Sequence, residues 1–365
     1  MAAQSLGRCM LKNAVVVADD RIPFLQGVLE PYCKEVRYLP GAKTTAADVQ
    51  DAEILITRTR TECSSALLDG SAVKLILTAT IGFDHIDTDY AAQKGIAWYN
   101  APGCNAASVR QYIASALLNL AHRRGMTLRG MTIGVVGVGY VGSKVAQLCR
   151  DWGMNVLLVD PPRARKEGSA GFCSLEEAAA QSDFLTFHVP LEKGGEDPTW
   201  HLADETLMRK MKPGAILINS SRGAVADNAA LKKLLRSGEL SGAVLDVWEG
   251  EPEIDRELLD LVDFGTPHIA GYSTDGKANG TSQCVNRIGE IYNIPALQSF
   301  YPADLPPRPE MPLIPSGLPE EEERRLRLNV CYDIAYDDAL LRQDPGQFEK
   351  LRGSYRMRRE PEKLV

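Results

Sequence analysis

The feature that most constrains this chain is Gly137-Val138-Gly139-Tyr140-Val141-Gly142, a GxGxxG turn joining the apolar run MTIGVVG (131–137) to a helical pattern over 141–152. A second apolar run, NVLLVD (155–160), follows and ends on Asp160. A strand, a glycine turn, a helix and then an acid form the dinucleotide fingerprint. The first glycine makes the turn, the second lets backbone approach a pyrophosphate, and the third lets helix and strand pack closely. Amides at the helix N-terminus then face the phosphates. Asp160 can accept from both ribose hydroxyls and would repel a 2′-phosphate, so NAD is expected over NADP, although Arg163 and Arg165 stand nearby.

The surrounding patterning is that of α/β architecture. Runs at 131–137, 155–160, 182–190, 214–221, 242–247 and 263–269 read as six strands, with helical segments at 141–152, 174–181, 203–211, 227–237 and 255–261. Strands alternating with helices imply parallel sheets. Earlier in the chain, runs at 13–19, 35–40, 52–57, 73–80 and 96–100 predict a second sheet, with helices expected in PFLQGVLEPYC (23–33) and SSALLDG (64–70). Val109, Ile113, Ala116, Leu117 and Leu120 give the segment Ser108 to Arg123 one apolar helical face. Helix is expected again from about 273 to 298. Seven prolines in 301–319 then require an extended stretch, and Glu320 opens a further helix. The expected domains are 1–107 with the return helix 273–298, 108–272, and 299–365.

Composition narrows the function. Of 365 residues, 44% are hydrophobic and 24% charged, as in a globular soluble protein, and the net charge of −7 argues against a nucleic-acid surface. No stretch has the length of a membrane span. The eight cysteines include no CxxC pair, which reads as reduced thiols in a cytoplasmic protein and offers no metal site. Met10 is a candidate start, with the preceding residues an extension.

Three segments just past predicted strands carry chemistry-bearing side chains: Arg222 in INSSRGAVADNAAL, Asp246, Glu249 and Glu251 in LDVWEGEP, and His268 in TPHIAGYS. The C-terminal edge of a parallel sheet is where ligands bind. Passing a hydride from an alcohol carbon to a nicotinamide needs a base for the hydroxyl proton, and a neutral histidine suits that task. A carboxylate on its far nitrogen would orient the ring, a role open to Glu249 or Glu251. Arginine would clamp the substrate carboxylate. His85, His122 and His201 read as structural.

Together, GVGYVG…VDPPRA, FLTFHVPLEK, NSSRGAVADNAAL, LDVWEGEP and TPHIAGY resemble the D-2-hydroxyacid dehydrogenase family. The resemblance implies a Rossmann-type NAD-binding domain beside a flavodoxin-like lid domain, with catalysis by Arg222, Glu251 and His268. Glu251 is preferred because it immediately precedes proline. NAD contacts are implied at Asp160, Asp246 and Gly271, and at Val189 with its neighbour His188. Substrate contacts are implied at Thr59, Thr80 and Tyr272. Thr59 replaces a common serine, and Arg60 and Glu62 stand where an apolar and a basic residue are expected.

The tail YDIAYDDALLRQDPGQFEKLRGSYRMRREP resembles one branch of the family. In that branch a small C-terminal α+β domain forms the homodimer, and the substrate is a small phosphorylated hydroxy acid. Such an acid carries up to three negative charges, so Arg58 and Arg60 are candidates for its phosphate. Two alternatives are another 2-hydroxy acid and an NAD-sensing binding scaffold. The Arg–Glu–His set favours turnover.

Overall fold

Two all-parallel sheets organise the protein, and the computed structural model describes residues 11–356 and 358–362. Met10 and everything before it lie outside the described residues. The chain divides into two compact units, one holding residues up to Asn105 with Ser273–Pro306, the other Ala106–Tyr272 with residues from Pro307 onward.

In the first unit, strands β1 (Val15–Asp19), β2 (Glu35–Leu39), β3 (Ile54–Thr57), β4 (Leu75–Thr78) and β5 (Ala97–Tyr99) form a sheet of order β2-β1-β3-β4-β5. This is the flavodoxin-like doubly wound order. β1, β3 and β4 are buried along their whole length, as strands covered on both faces must be. Alternation sends Val16, Ala18, Ile54, Ile56, Leu75 and Leu77 to the face covered by the helix Thr274–Ile291. Val15, Val17, Leu55 and Ile76 pack on the other face with Val49, Leu67 and Ala91. Gly280 lets the return helix press on β4, since a Cβ there would lie 2.4 Å from the Ala79 carbonyl oxygen.

Residues 23–33 form a chain of turns, not the expected helix. Phe24 and Gly27 have φ of 63° and 84°, and Pro23 and Pro31 bracket them. Left-handed residues and prolines interrupt the i to i−4 ladder that the apolar spacing alone suggests.

The second unit holds β6 (Thr132–Val136), β7 (Asn155–Val159), β8 (Phe184–Phe187), β9 (Ile216–Asn219), β10 (Gly242–Leu245) and β11 (Phe264–Gly265), in the order β11-β10-β9-β8-β6-β7. The chain reverses direction across the sheet between β6 and β8, so their C-terminal ends form the switch point where ligands bind in such sheets. Phe184 and Phe187 of β8 and Phe264 of β11 are fully buried. Truncating one of these to alanine costs about 3–5 kcal/mol.

The helix Ala106–Arg124 is buried on nearly every side, where a single apolar face was expected. The C-terminal part of the chain accounts for the difference, because the helix Glu320–Cys331, the turn before the helix Ile334–Gln343 and residues 359–360 meet its polar stripe. Ser108 donates to Glu360 (2.8 Å), Gln111 to the Arg359 carbonyl (3.2 Å), Ser115 to the Tyr332 carbonyl (3.3 Å) and Asn119 to Asn329 (3.2 Å). Among the described residues no helix is long and apolar enough to cross a membrane.

Candidate active site

The glycine turn follows β6 and opens the helix Tyr140–Asp151. Gly137 has φ 84°, and a Cβ there would sit 2.5 Å from the His188 carbonyl and 2.7 Å from Val189 Cγ1. The turn is thereby seated against the end of β8 at the switch point. A Cβ on Gly142 would meet the Gly137 carbonyl at 1.9 Å, whereas one on Gly139 would meet nothing within 4 Å. Two glycines are thus required by the protein's own packing. The third leaves open space at a helix N-terminus, which is the space a pyrophosphate needs. Tyr140 is exposed and Val141 half-buried beside it.

Asp160 accepts from the amides of Val138 (2.8 Å) and Arg163 (3.0 Å), tying the glycine turn to the helix Pro161–Glu167. A carboxylate has about four acceptor positions, so capacity for ribose hydroxyls remains. Arg163 donates to the Val138 carbonyl (2.6 Å) and to Glu167, and Arg165 pairs with Asp197 and Glu196. Both arginines that could have welcomed a 2′-phosphate are held by acids. The residues present therefore fit NAD.

The catalytic candidates converge on the same sheet edge, after β9, β10 and β11. Arg222 follows β9, and Gly223 lets that turn abut the next one, since a Cβ there would lie 2.0 Å from the Trp248 carbonyl. The Trp248 amide donates to Glu251 Oε1 (2.8 Å), and Glu251 Oε2 faces His268 Nδ1 at 2.8 Å. Burial pushes the Glu251 carboxyl up. The His268 hydrogen bond and charge, the Trp248 amide and the Arg352 charge outweigh it, and the carboxyl sits below its ordinary value. An ionised carboxylate only accepts, so Nδ1 carries a proton, and Nε2 is the nitrogen left to exchange one. Among the described residues Nε2 has no protein partner. Glu249 is engaged elsewhere, bonded to His201 Nε2 (2.8 Å) and to the Asn228 amide (3.0 Å).

His268 is held in the left-handed region at φ 56°, costly for a residue with a Cβ. What over-determines it is Asp246, only 1% exposed. The His268 amide donates to the Asp246 carbonyl (2.7 Å), and its carboxylate accepts from Ile269 (2.8 Å), Ala270 (2.9 Å) and Thr266 Oγ1 (2.7 Å). Since Thr266 donates there, the Tyr112 hydroxyl at 2.9 Å must donate to Thr266. Asp246 thus braces the histidine loop from within. Burial raises its carboxyl pKa against the lowering effects of His268 and these donors.

His188 is half-buried and bonded to Thr186 Oγ1 (3.1 Å), with burial pushing its imidazole down to about 3. Gly271 and Tyr272 are half-buried just beyond the histidine loop. In the first unit, Arg58, Thr59 and Thr80 lie past the ends of β3 and β4. Arg58 donates to the Arg21 carbonyl (3.2 Å), Thr59 is exposed, and Thr80 Oγ1 bonds Thr78 Oγ1 (2.8 Å) and the Gly82 carbonyl (2.9 Å). The other histidines all have partners: His85 with Thr57 (3.2 Å), His122 with Glu322 (3.1 Å), and His201 with Glu249. Sequence reasoning missed Tyr112, Thr266, Trp248 and Arg352, each of which acts through a fold-dependent contact and has no motif of its own.

A pH prediction follows from Glu251. Its folded-state pKa lies below the ordinary 4.5, so it contributes stability that is fully present above that value and is lost as pH falls through the folded one. In urea titrations Glu251→Gln should be less stable than the wild type at neutral pH, with the gap closing in strong acid. A gap independent of pH would contradict the ionised pair.

The family profile described as D-isomer specific 2-hydroxyacid dehydrogenase, NAD binding domain, matches residues 106–270. Erythronate-4-phosphate dehydrogenase of Bacteroides fragilis is 50% identical over 345 residues, covering 94% of this chain and 97% of its own. The enzyme of the same name from Salmonella arizonae is 43% identical over 353 residues, covering 94% and 92%. Among solved structures, D-lactate dehydrogenase from Aquifex aeolicus, complexed with NAD and lactic acid, aligns with a TM-score of 0.64 and 27% identity. That alignment takes in 97% of that chain but 78% of this one. The chain belongs to the D-isomer specific 2-hydroxyacid dehydrogenase family, in the branch of the erythronate-4-phosphate dehydrogenases.

Proposed function

We propose that the protein oxidises 4-phospho-D-erythronate to 2-oxo-3-hydroxy-4-phosphobutanoate with NAD, a step toward pyridoxal 5′-phosphate. The observation that carries this reading is the His268–Glu251 pair on the sheet edge that also bears the glycine turn. The substrate follows from the 50% identity across almost the whole chain. Bound NAD supplies the acceptor for the hydride that leaves C2. The turn Gly137, Gly139, Tyr140, Val141 and Gly142 would hold its pyrophosphate and Asp160 its ribose, with His188, Val189, Asp246 and Gly271 the residues that would meet the nicotinamide half.

His268 Nε2 takes the proton of the C2 hydroxyl, and Glu251 stabilises the imidazolium so formed. Arg222 grips the substrate carboxylate through its planar fork and fixes C2. Tyr272, Thr59 and Thr80 contact the acid, and Arg58 and Arg60 take the phosphate. Erythronate lacking the phosphate is the control. Arg58→Ala/Arg60→Ala should raise KM for the phosphorylated acid by about 10- to 100-fold, the scale of one charged hydrogen bond or more. KM for erythronate should change far less. Equal effects on both would remove these arginines from the phosphate site.

The protein forms a homodimer through its C-terminal domain. Supporting this, Met311, Leu313, Val330 and Tyr336 are large apolar residues left exposed between 307 and 362, with Leu313 fully exposed. Sedimentation velocity should give twice the chain mass, and Leu313→Asp should shift the equilibrium toward monomer. A wild-type protein that sediments as a monomer would rule this out.

A further inference from the structure

The C-terminal segment reaches the histidine loop inside the second unit. Arg352 lies on the helix Phe348–Gly353 with Nε 3.3 Å from Tyr272 Oη. Its side chain is 19% exposed, and its acidic partner is the more exposed Glu349 at 3.7 Å. Six residues on, Arg358 is 5% exposed and lies 3.8 Å over the Tyr332 ring. It donates to the Ala270 carbonyl (2.7 Å) and to Tyr355 Oη (3.0 Å), while Tyr355 donates to Asp337 (2.7 Å). The Tyr355 ring meets Tyr272 edge-on with centroids 6.0 Å apart. Asp246 therefore braces residues 269 and 270 from one direction, and the C-terminal segment holds 270 and 272 from another.

Stability alone accounts poorly for Arg352. Burying most of a guanidinium costs desolvation, and a loose pair with an exposed acid three residues away returns little of it. An apolar side chain would pack that position at lower cost. What arginine adds is a donor on the Tyr272 hydroxyl, four residues beyond His268.

We propose that Arg352 is a positioning residue of the active site, fixing the Tyr272 hydroxyl beside the loop that carries His268. The inference rests on the reading of residues 251–272 as the site of oxidation. Acting through Tyr272, it predicts a coupled pair. Arg352→Ala should lower kcat/KM for the acid about 10- to 100-fold, as loss of a charged hydrogen bond does, while KM for NAD stays unchanged. In a Tyr272→Phe background the same substitution should cost less than about threefold, because contacting residues are not additive. Arg352→Lys, which keeps charge and stem, should restore part of the activity and serves if the alanine variant folds poorly. A full-sized loss in the Tyr272→Phe background, or a parallel rise in KM for NAD, overturns the proposal.

Hydrogen exchange across residues 268–273 decides the matter whatever acid the enzyme uses. Faster exchange there in Arg352→Ala, with the β6 and β8 amides unchanged, supports positioning. Unchanged exchange at 268–273 overturns it. Absence of wild-type turnover on 4-phospho-D-erythronate would instead count against the substrate alone.

Discussion

His268→Ala is expected to lower kcat by about 10²- to 10⁴-fold, the range carried by a positioned general base, while the protein still binds NAD. The separation follows from the geometry. The glycine turn is built by contacts among Gly137, Gly142, His188 and Asp160, none of which involves the imidazole. The imidazole ring itself bonds only to Glu251 among the described residues, through Nδ1. Removing it takes away the proton acceptor and leaves the backbone amides of 268–270 on Asp246. Stopped-flow turnover and a fluorescence titration with NADH measure the two properties apart. Near-normal turnover would dismiss His268 as the base, and a matching loss of NADH affinity would make the effect one of folding.

The second large effect is a contrast between two glycines of one turn. Alanine at 142 would drive a Cβ into the Gly137 carbonyl. Forced overpacking of this kind costs about 1–3 kcal/mol, so Gly142→Ala should lower thermal stability even without cofactor. Gly139 has φ −78°, outside the left-handed region, and open space around it. Gly139→Ala should therefore melt like the wild type in the absence of NAD. Its NAD affinity should fall by roughly tenfold or more, on the scale of one charged hydrogen bond. Calorimetry with and without NAD checks both. A Gly139→Ala protein with unchanged NAD affinity would place the pyrophosphate elsewhere.

Much of this was legible in the sequence because parallel strands covered on both faces must be apolar almost without interruption. All eleven strands among the described residues coincide with runs read from the sequence, the fully buried β1, β3 and β4 most plainly and the half-buried β2, EVRYL, least. The Rossmann-type turn was equally legible, since its glycines answer to packing that leaves a fixed spacing. Residues 23–33 misled because apolar spacing does not encode φ, and Phe24 takes a left-handed conformation that its side chain gives no sign of. The helix Ala106–Arg124 showed one apolar face, but the stripe of Ser108, Gln111, Ser115 and Asn119 binds a segment some two hundred residues away. A polar stripe in a sequence looks the same whether it faces water or a distant carbonyl. The choice between Glu249 and Glu251 was likewise closed to spacing arguments. Both sit in one loop, and only the fold turns one to His201 and the other to His268.

Hydride is expected to pass from C2 of 4-phospho-D-erythronate to NAD while His268 takes the hydroxyl proton. The most direct measurement uses substrate deuterated at C2, with NAD, and follows both products by mass spectrometry. The expected products are 2-oxo-3-hydroxy-4-phosphobutanoate without the label and NADH carrying one deuterium each, with His268→Ala forming neither at a comparable rate. Label lost to water, or no keto acid from this substrate, would contradict it.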